Sequence, residues 1–66
     1  MVYIVLNING DIIGVANSEI KAVFIYEERY SEIEYPENTE SDFDKFEYLK
    51  SIDRIRAFPL NRFVYQ

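Results

Sequence analysis

The sequence contains no cysteine and no histidine. Without cysteine it offers no disulfide scaffold, and without a Cys/His set it offers no structural zinc site. The same absences remove the thiolate nucleophile and the commonest general base near neutral pH. We therefore expect a protein that is not an enzyme and that uses neither a metal nor a cofactor.

Glycine is also scarce, with two residues in the whole chain. Two glycines do not build a phosphate-binding loop, and none of the serines lies in the Gly-x-Ser-x-Gly turn of a hydrolase. A calcium loop beginning at Asp42 fails because its turn position holds Glu47 where glycine is needed. These patterns add no catalytic or metal-binding candidate.

Long apolar runs are missing as well. No run approaches the roughly 18–20 residues that a membrane span needs. The apolar residues 1–6 are too short for the hydrophobic region of a signal peptide, and no basic segment precedes them. We expect a cytoplasmic protein with no contact to a membrane.

What the sequence does contain is a high share of apolar and aromatic residues in a short chain. It has 66 residues, of which 48% are hydrophobic and 17% aromatic. A chain of this size buries only about 60% of the surface that it exposes when unfolded. Its stability must come from tight aromatic packing, from a second copy or from a partner.

The order of patterns predicts a small α+β domain, ββα(α)β, with an antiparallel three-stranded sheet and helix on one face. Alternating apolar residues predict a hairpin over residues 2–16, with a type I′ turn at Asn9-Gly10 that sets Leu6 opposite Ile13. A first helix is predicted over about residues 18–32, followed by an acidic loop at 34–41. A short helix at about 42–50 and an edge strand at about 53–58 complete the fold.

The apolar stripe of the first helix is predicted to cover one face of the sheet. Its members recur at helical spacing: Ile20, Val23, Phe24, Tyr26 and Tyr30. The other sheet face then presents the hairpin residues Tyr3, Val5 and Ile12, which we take as a candidate interface. A homodimer is the simplest way to cover such a face.

Charge is distributed unevenly along the chain, whose net charge is −5. Residues 27–47 carry nine carboxylates against Arg29 and Lys45, whereas residues 48–66 have a net charge of +3. Proteins that bind nucleic acids need positive charge to neutralise phosphates. We therefore expect no direct binding to DNA or RNA.

The acidic segment has two interpretations. One is a solvated surface that keeps an apolar protein soluble. The other is a binding surface for a protein with a basic surface, in which carboxylates steer the encounter and tyrosines anchor it. The candidate contact residues are Tyr26, Tyr30, Glu34, Tyr35, Glu37, Glu40, Asp42 and Tyr48.

Two arginines near the end of the chain also have two interpretations. Arg54 and Arg56 alternate along one strand, which is ordinary protection of a sheet edge. They are also a possible anion contact, since two guanidinium groups can hold a phosphate. A homo-oligomer that sequesters a nucleotide or another small molecule, and a purely structural homo-oligomer, therefore stay open as alternative functions.

The first half of the chain resembles a loose group of small phage and prophage proteins. The resemblance lies in residues 2–6, in Asp11-Ile12-Ile13-Gly14-Val15 and in Ser18-Glu19-Ile20-Lys21-Ala22. Proteins of this group pair an N-terminal hairpin with a capped helix and end in a short third strand. The resemblance implies a small inhibitor that occupies the surface of a host or anti-phage defence protein.

Overall fold

A computed structural model describes residues 1–59 of the chain. Its elements, in chain order, are β1 (Val2–Leu6), β2 (Ile12–Ala16), α1 (Glu19–Arg29), α2 (Asp42–Ser51) and β3 (Ile55–Phe58). The three strands form one antiparallel sheet in the order β2-β1-β3. The predicted α+β class and three-stranded antiparallel sheet are therefore confirmed.

The hairpin turn differs from the predicted type I′ turn. Gly10 has a positive φ of 87°, but Asn9 does not. The Asn7 N–H donates to the Asp11 carbonyl at 2.9 Å, and this hydrogen bond closes a loop of residues 8–10. The buried Asn7 holds this loop, because its side-chain oxygen accepts hydrogen bonds from the N–H groups of Asn9 and Asp11, both at 2.9 Å. A short polar side chain thus replaces ladder hydrogen bonds at the turn.

The strand register contains a β-bulge that the sequence pattern did not reveal. Ile4 lies opposite Val15 as predicted, but Leu6 lies opposite Ile12 rather than Ile13. Ile13 is the extra residue of β2, since Val5 already pairs with Gly14.

The helices cover the sheet face opposite to the predicted one. Val5 is fully buried, and the ring of Tyr3 packs edge-on against Phe46 of α2 at 5.5 Å. The expected open interface of Tyr3, Val5 and Ile12 is therefore wrong for the first two residues. Ile12 does lie at the surface. The bulge at Ile13 interrupts the inward–outward alternation of side chains along β2, so Ile12 does not follow the pattern of Gly14–Ala16.

Both helices begin as their sequences predict. The Ser18 hydroxyl accepts a hydrogen bond from the Lys21 N–H and caps α1. Ser41 and Asp44 form a reciprocal capping box at the start of α2. α1 ends at Arg29, earlier than expected, because Tyr30 leaves helical geometry with φ −126° and ψ 79°.

The core lies between the helices and the inner sheet face. Its buried members come from every element: Val5, Ala16, Ala22, Val23, Tyr26, Phe46, Leu49 and Ile55. α1 is rotated relative to the predicted stripe, so that Ala22 is inside while Ile20 and Phe24 are about half exposed.

Candidate functional site

The segment that joins α1 to α2 is attached to the core by alternating inward side chains. Tyr30, Ile33 and Tyr35 are half-buried and pack against the core cluster. The Tyr30 ring lies 4.7 Å from that of Tyr26, and its hydroxyl accepts a hydrogen bond from the Ile8 N–H of the hairpin turn at 3.1 Å. One tyrosine thus links this segment to both the helix and the sheet.

Tyr35 makes the second attachment through a carboxylate of α1. Its hydroxyl donates a hydrogen bond to Glu27 Oε2 at 2.9 Å, and Lys45 Nζ of α2 lies 3.6 Å from the same oxygen. The Tyr35 ring packs edge-on against Tyr48 at 5.8 Å. Glu27, the acidic residue inside the apolar stripe of α1, is therefore paired with a cation.

Partial burial is the main reason why the pKa of Tyr35 lies above its ordinary value. The hydrogen bond to Glu27 and the negative charge of that carboxylate act in the same direction. The neutral phenol is therefore the form that holds the segment in place.

Backbone hydrogen bonds order the rest of the segment. The Thr39 N–H donates to the Pro36 carbonyl at 3.0 Å and closes a turn. Asp44 Oδ2 then accepts hydrogen bonds from the N–H groups of Glu40 and Ser41 at 3.2 and 3.3 Å. These bonds, with that to Glu40 as the largest cause, hold the pKa of Asp44 below its ordinary value.

Carboxylates occupy the outward positions between the attachments. We call them the acidic surface, and its members are Glu32, Glu34, Glu37, Glu40 and Asp42, all of them exposed. Within residues 1–59 the four glutamates form no ion pair, and Asp42 has only the distant Lys45 at 3.9 Å. A groove of about 410 Å³, lined by residues that include Tyr30 and Glu32, adjoins this surface.

The predicted contact residues therefore separate into two groups. Glu34, Glu37, Glu40 and Asp42 lie at the surface, whereas Tyr30, Tyr35 and Tyr48 are half-buried supports of the segment. Tyr26 is 4% exposed and belongs to the core, so its predicted place at a contact surface is wrong.

Glu32 is the member of the acidic surface that the sequence reasoning missed. The prediction extended the first helix through residue 32, whereas α1 ends at Arg29. The signal that was available is the alternation of Glu32 and Glu34 with Ile33 and Tyr35, which is typical of an extended segment with one buried side.

Arg54 and Arg56 are already engaged within the chain. Arg56 binds the carboxylate of Asp53 through two hydrogen bonds of 2.8 Å, which raise the pKa of Arg56 and lower that of Asp53. Arg54 Nη1 donates to the carbonyl of Ile52 at 3.0 Å. The charge of Arg54 also lowers the pKa of Asp53, so both guanidinium groups act on a carboxylate of the chain itself.

Residues 1–59 contain neither a cluster of metal-binding side chains nor a membrane-spanning helix. No group of three or more acidic, histidine or cysteine side chains lies close enough to hold a metal ion there. Neither helix of this part of the chain combines the length and apolar character that crossing a membrane requires.

Comparison of the chain with protein-family models, with curated proteins and with solved structures finds no match.

Proposed function

We propose that this chain is a non-enzymatic protein-binding module whose acidic surface binds a basic surface of another protein. One observation carries the proposal: four exposed glutamates without an ion pair within residues 1–59 lie on a segment whose first part is attached to the core by inward side chains and whose second part is ordered by hydrogen bonds of the turn and the α2 cap. A surface that only promoted solubility would not need its backbone to be attached so closely.

The attachment favours binding because the carboxylates are ordered before the partner arrives. A preformed surface loses less conformational entropy on association than a flexible one. The local excess of negative charge, −7 over residues 27–47, accelerates the encounter with a basic surface. The adjoining groove, with Tyr30 and Glu32 in its lining, has the chemistry to accept a lysine or arginine side chain of the partner.

Occupying a basic surface is a form of inhibition, since such surfaces commonly bind nucleic acids or other acidic partners. The resemblance to small phage proteins supports the narrower proposal that the partner is a host or anti-phage defence protein. In that setting the module inhibits its partner by covering the partner's basic surface.

The test is capture of a partner by the tagged protein from bacterial lysate at low and high salt, with identification by mass spectrometry. We expect one stoichiometric protein that is released as salt rises. The double variant Glu37→Lys/Glu40→Lys should weaken binding of that purified protein by roughly tenfold or more, since each reversal of a contact charge costs about 1 kcal/mol.

The matched control changes the net charge equally but lies outside the acidic surface. Asp11→Lys/Glu47→Lys replaces two other exposed carboxylates and should retain the binding. If both double variants lost binding equally, the partner would be attracted by the net charge of the chain alone. No loss in either variant would contradict the proposed surface.

A further inference from the structure

A second surface, at the β2 edge of the sheet, exposes large apolar side chains. Val15 of β2 is 59% exposed, and Ile20 and Phe24 of α1 are 48% and 53% exposed. We call these three residues the apolar patch; Ile20 and Phe24 form its helix layer, and Val15 lies on the sheet face opposite α1, because Gly14 and Ala16 on either side of it face the helix. A groove of about 570 Å³ adjoins it, with Val15, Phe24 and Ile25 in its lining. In a chain this small, such an area marks an interface more often than a solvent-exposed surface.

The two edges of the sheet differ in a way that indicates where association occurs. The β3 edge carries Arg56 and is followed by Pro59, two features that oppose the addition of another strand. β2 contains no charged residue, and within residues 1–59 no strand pairs with its outer edge. The bulge is confined to Ile13, so Gly14–Ala16 remain regular and available.

At this edge of the sheet, β2 and the helix α1 that packs on it form two layers. α1 packs against β2 and β1, whereas α2 packs against α1 and β3. A two-fold axis perpendicular to the sheet at the β2 edge therefore brings two copies of β2 together in antiparallel orientation. The same axis sets two copies of α1 side by side, also antiparallel, with Phe24 between them.

Charges beside the apolar patch fit that symmetry. Ile20, Phe24 and Glu28 follow one another at four-residue spacing on α1, and Lys21 lies beside them. When two antiparallel helices cross near Phe24, Lys21 of each copy faces Glu28 of the other. Both side chains are exposed, and neither forms an ion pair within residues 1–59.

We propose that the apolar patch and the β2 edge bind a second copy of this chain, in a two-fold dimer that continues the sheet from β2 to β2 and packs α1 against α1. This surface is separate from the acidic surface, so the dimer does not depend on the function proposed above. Pairing of Lys21 with the second copy's Glu28 sets the register.

The first test is the molar mass in solution, by light scattering and sedimentation over a range of concentrations. We expect a dimer for the natural sequence and a monomer for Phe24→Glu. Phe43→Glu is the matched control, because Phe43 is 57% exposed but lies on α2, outside the patch. Circular dichroism shows whether each variant is folded.

The second test reverses charges. Lys21→Glu and Glu28→Lys should each raise the dissociation constant of the dimer roughly tenfold, and the double variant should restore it, because the pair re-forms with opposite sign. Failure of the double variant to restore the dimer would overturn the proposed register.

The third test uses the absence of cysteine in the chain. Val15→Cys should form a disulfide-linked dimer under mild oxidation, since residues near the axis of an antiparallel strand pair lie about 4.5–5.5 Å apart between Cα atoms. Phe43→Cys should not. The proposal is overturned if the natural sequence stays monomeric at high concentration. It is also overturned if Phe24→Glu leaves the molar mass of this chain unchanged and affects only its binding to another protein.

Discussion

Among single residues, Gly14 decides how closely α1 approaches the sheet. A Cβ atom at this position would lie 2.6 Å from Cγ2 and 3.2 Å from Cδ1 of Ile25. The first distance is far below van der Waals contact, so only glycine permits the observed spacing. Gly14 therefore determines the position of α1 over β2, and with it the outward direction of Phe24.

Gly14→Ala should destabilise the protein by about 1–3 kcal/mol, as overpacking of a core does. Ile25 is β-branched and has few alternative rotamers with which to make room. Chemical denaturation measures the change in the free energy of unfolding. In an Ile25→Ala background the cost of Gly14→Ala should fall sharply, and an equal cost in both backgrounds would show that this contact is not its cause.

Tyr35→Phe should reduce stability at neutral pH by about 0.5–1.5 kcal/mol, because it removes the hydrogen bond to Glu27. Since the pKa of Tyr35 is raised in the folded state, its contribution is fully present below the tyrosine pKa of the unfolded chain, about 10. That contribution is lost as pH rises above this value. The variant should therefore lose less stability between pH 9 and 11, as measured by urea unfolding.

Tyr48→Phe is the control for this measurement, since it keeps the Tyr35–Glu27 hydrogen bond. If both variants followed the same alkaline profile as the natural sequence, Tyr35 would not be the residue that responds to pH.

Among the elements, α2 shows how a local signal determines a helix start. Ser41 and Asp44 satisfy each other's backbone N–H groups, as their spacing predicts. Because the pKa of Asp44 is lowered in the folded state, its contribution is present above the ordinary aspartate pKa of about 4 and is lost as pH falls. The cap is thus sensitive to acid.

Asp44→Asn should reduce the decrease in stability that occurs as pH falls from 6 to 2.5, because the amide does not titrate. Thermal unfolding over this pH range provides the measurement. Glu37→Gln, which removes an exposed carboxylate with no ion pair within residues 1–59, should keep the natural profile. Parallel profiles for Asp44→Asn and the natural sequence would contradict the role assigned to the cap.

Two element boundaries differ from their predicted positions. α1 ends early because Tyr30 packs back onto the core and binds the hairpin turn. β3 begins late because Asp53 adopts a left-handed φ of 64° before the strand. The end of α1 depends on contacts between distant segments, whereas the left-handed Asp53 belongs to the local ending of α2, in which the Arg54 N–H donates to the Leu49 carbonyl at 2.8 Å.

For the whole molecule, the structure separates two surfaces of opposite character. The acidic surface lies on the segment between the helices, and the apolar patch lies on α1 and the β2 edge. A dimer through the patch would use no residue of the acidic surface. A small chain would thereby gain buried apolar area without losing its charged surface.

The sequence by itself determined the types and order of the elements, the helix caps and the concentration of negative charge. These depend on periodicity and on residues close together in the chain. Only the tertiary structure decided which sheet face is buried, which of its two predicted places Tyr26 takes, and that Phe24 is outside. Both faces of β1 are apolar, so alternation does not choose between them; the bulge at Ile13 and the close contact of Gly14 with Ile25 do.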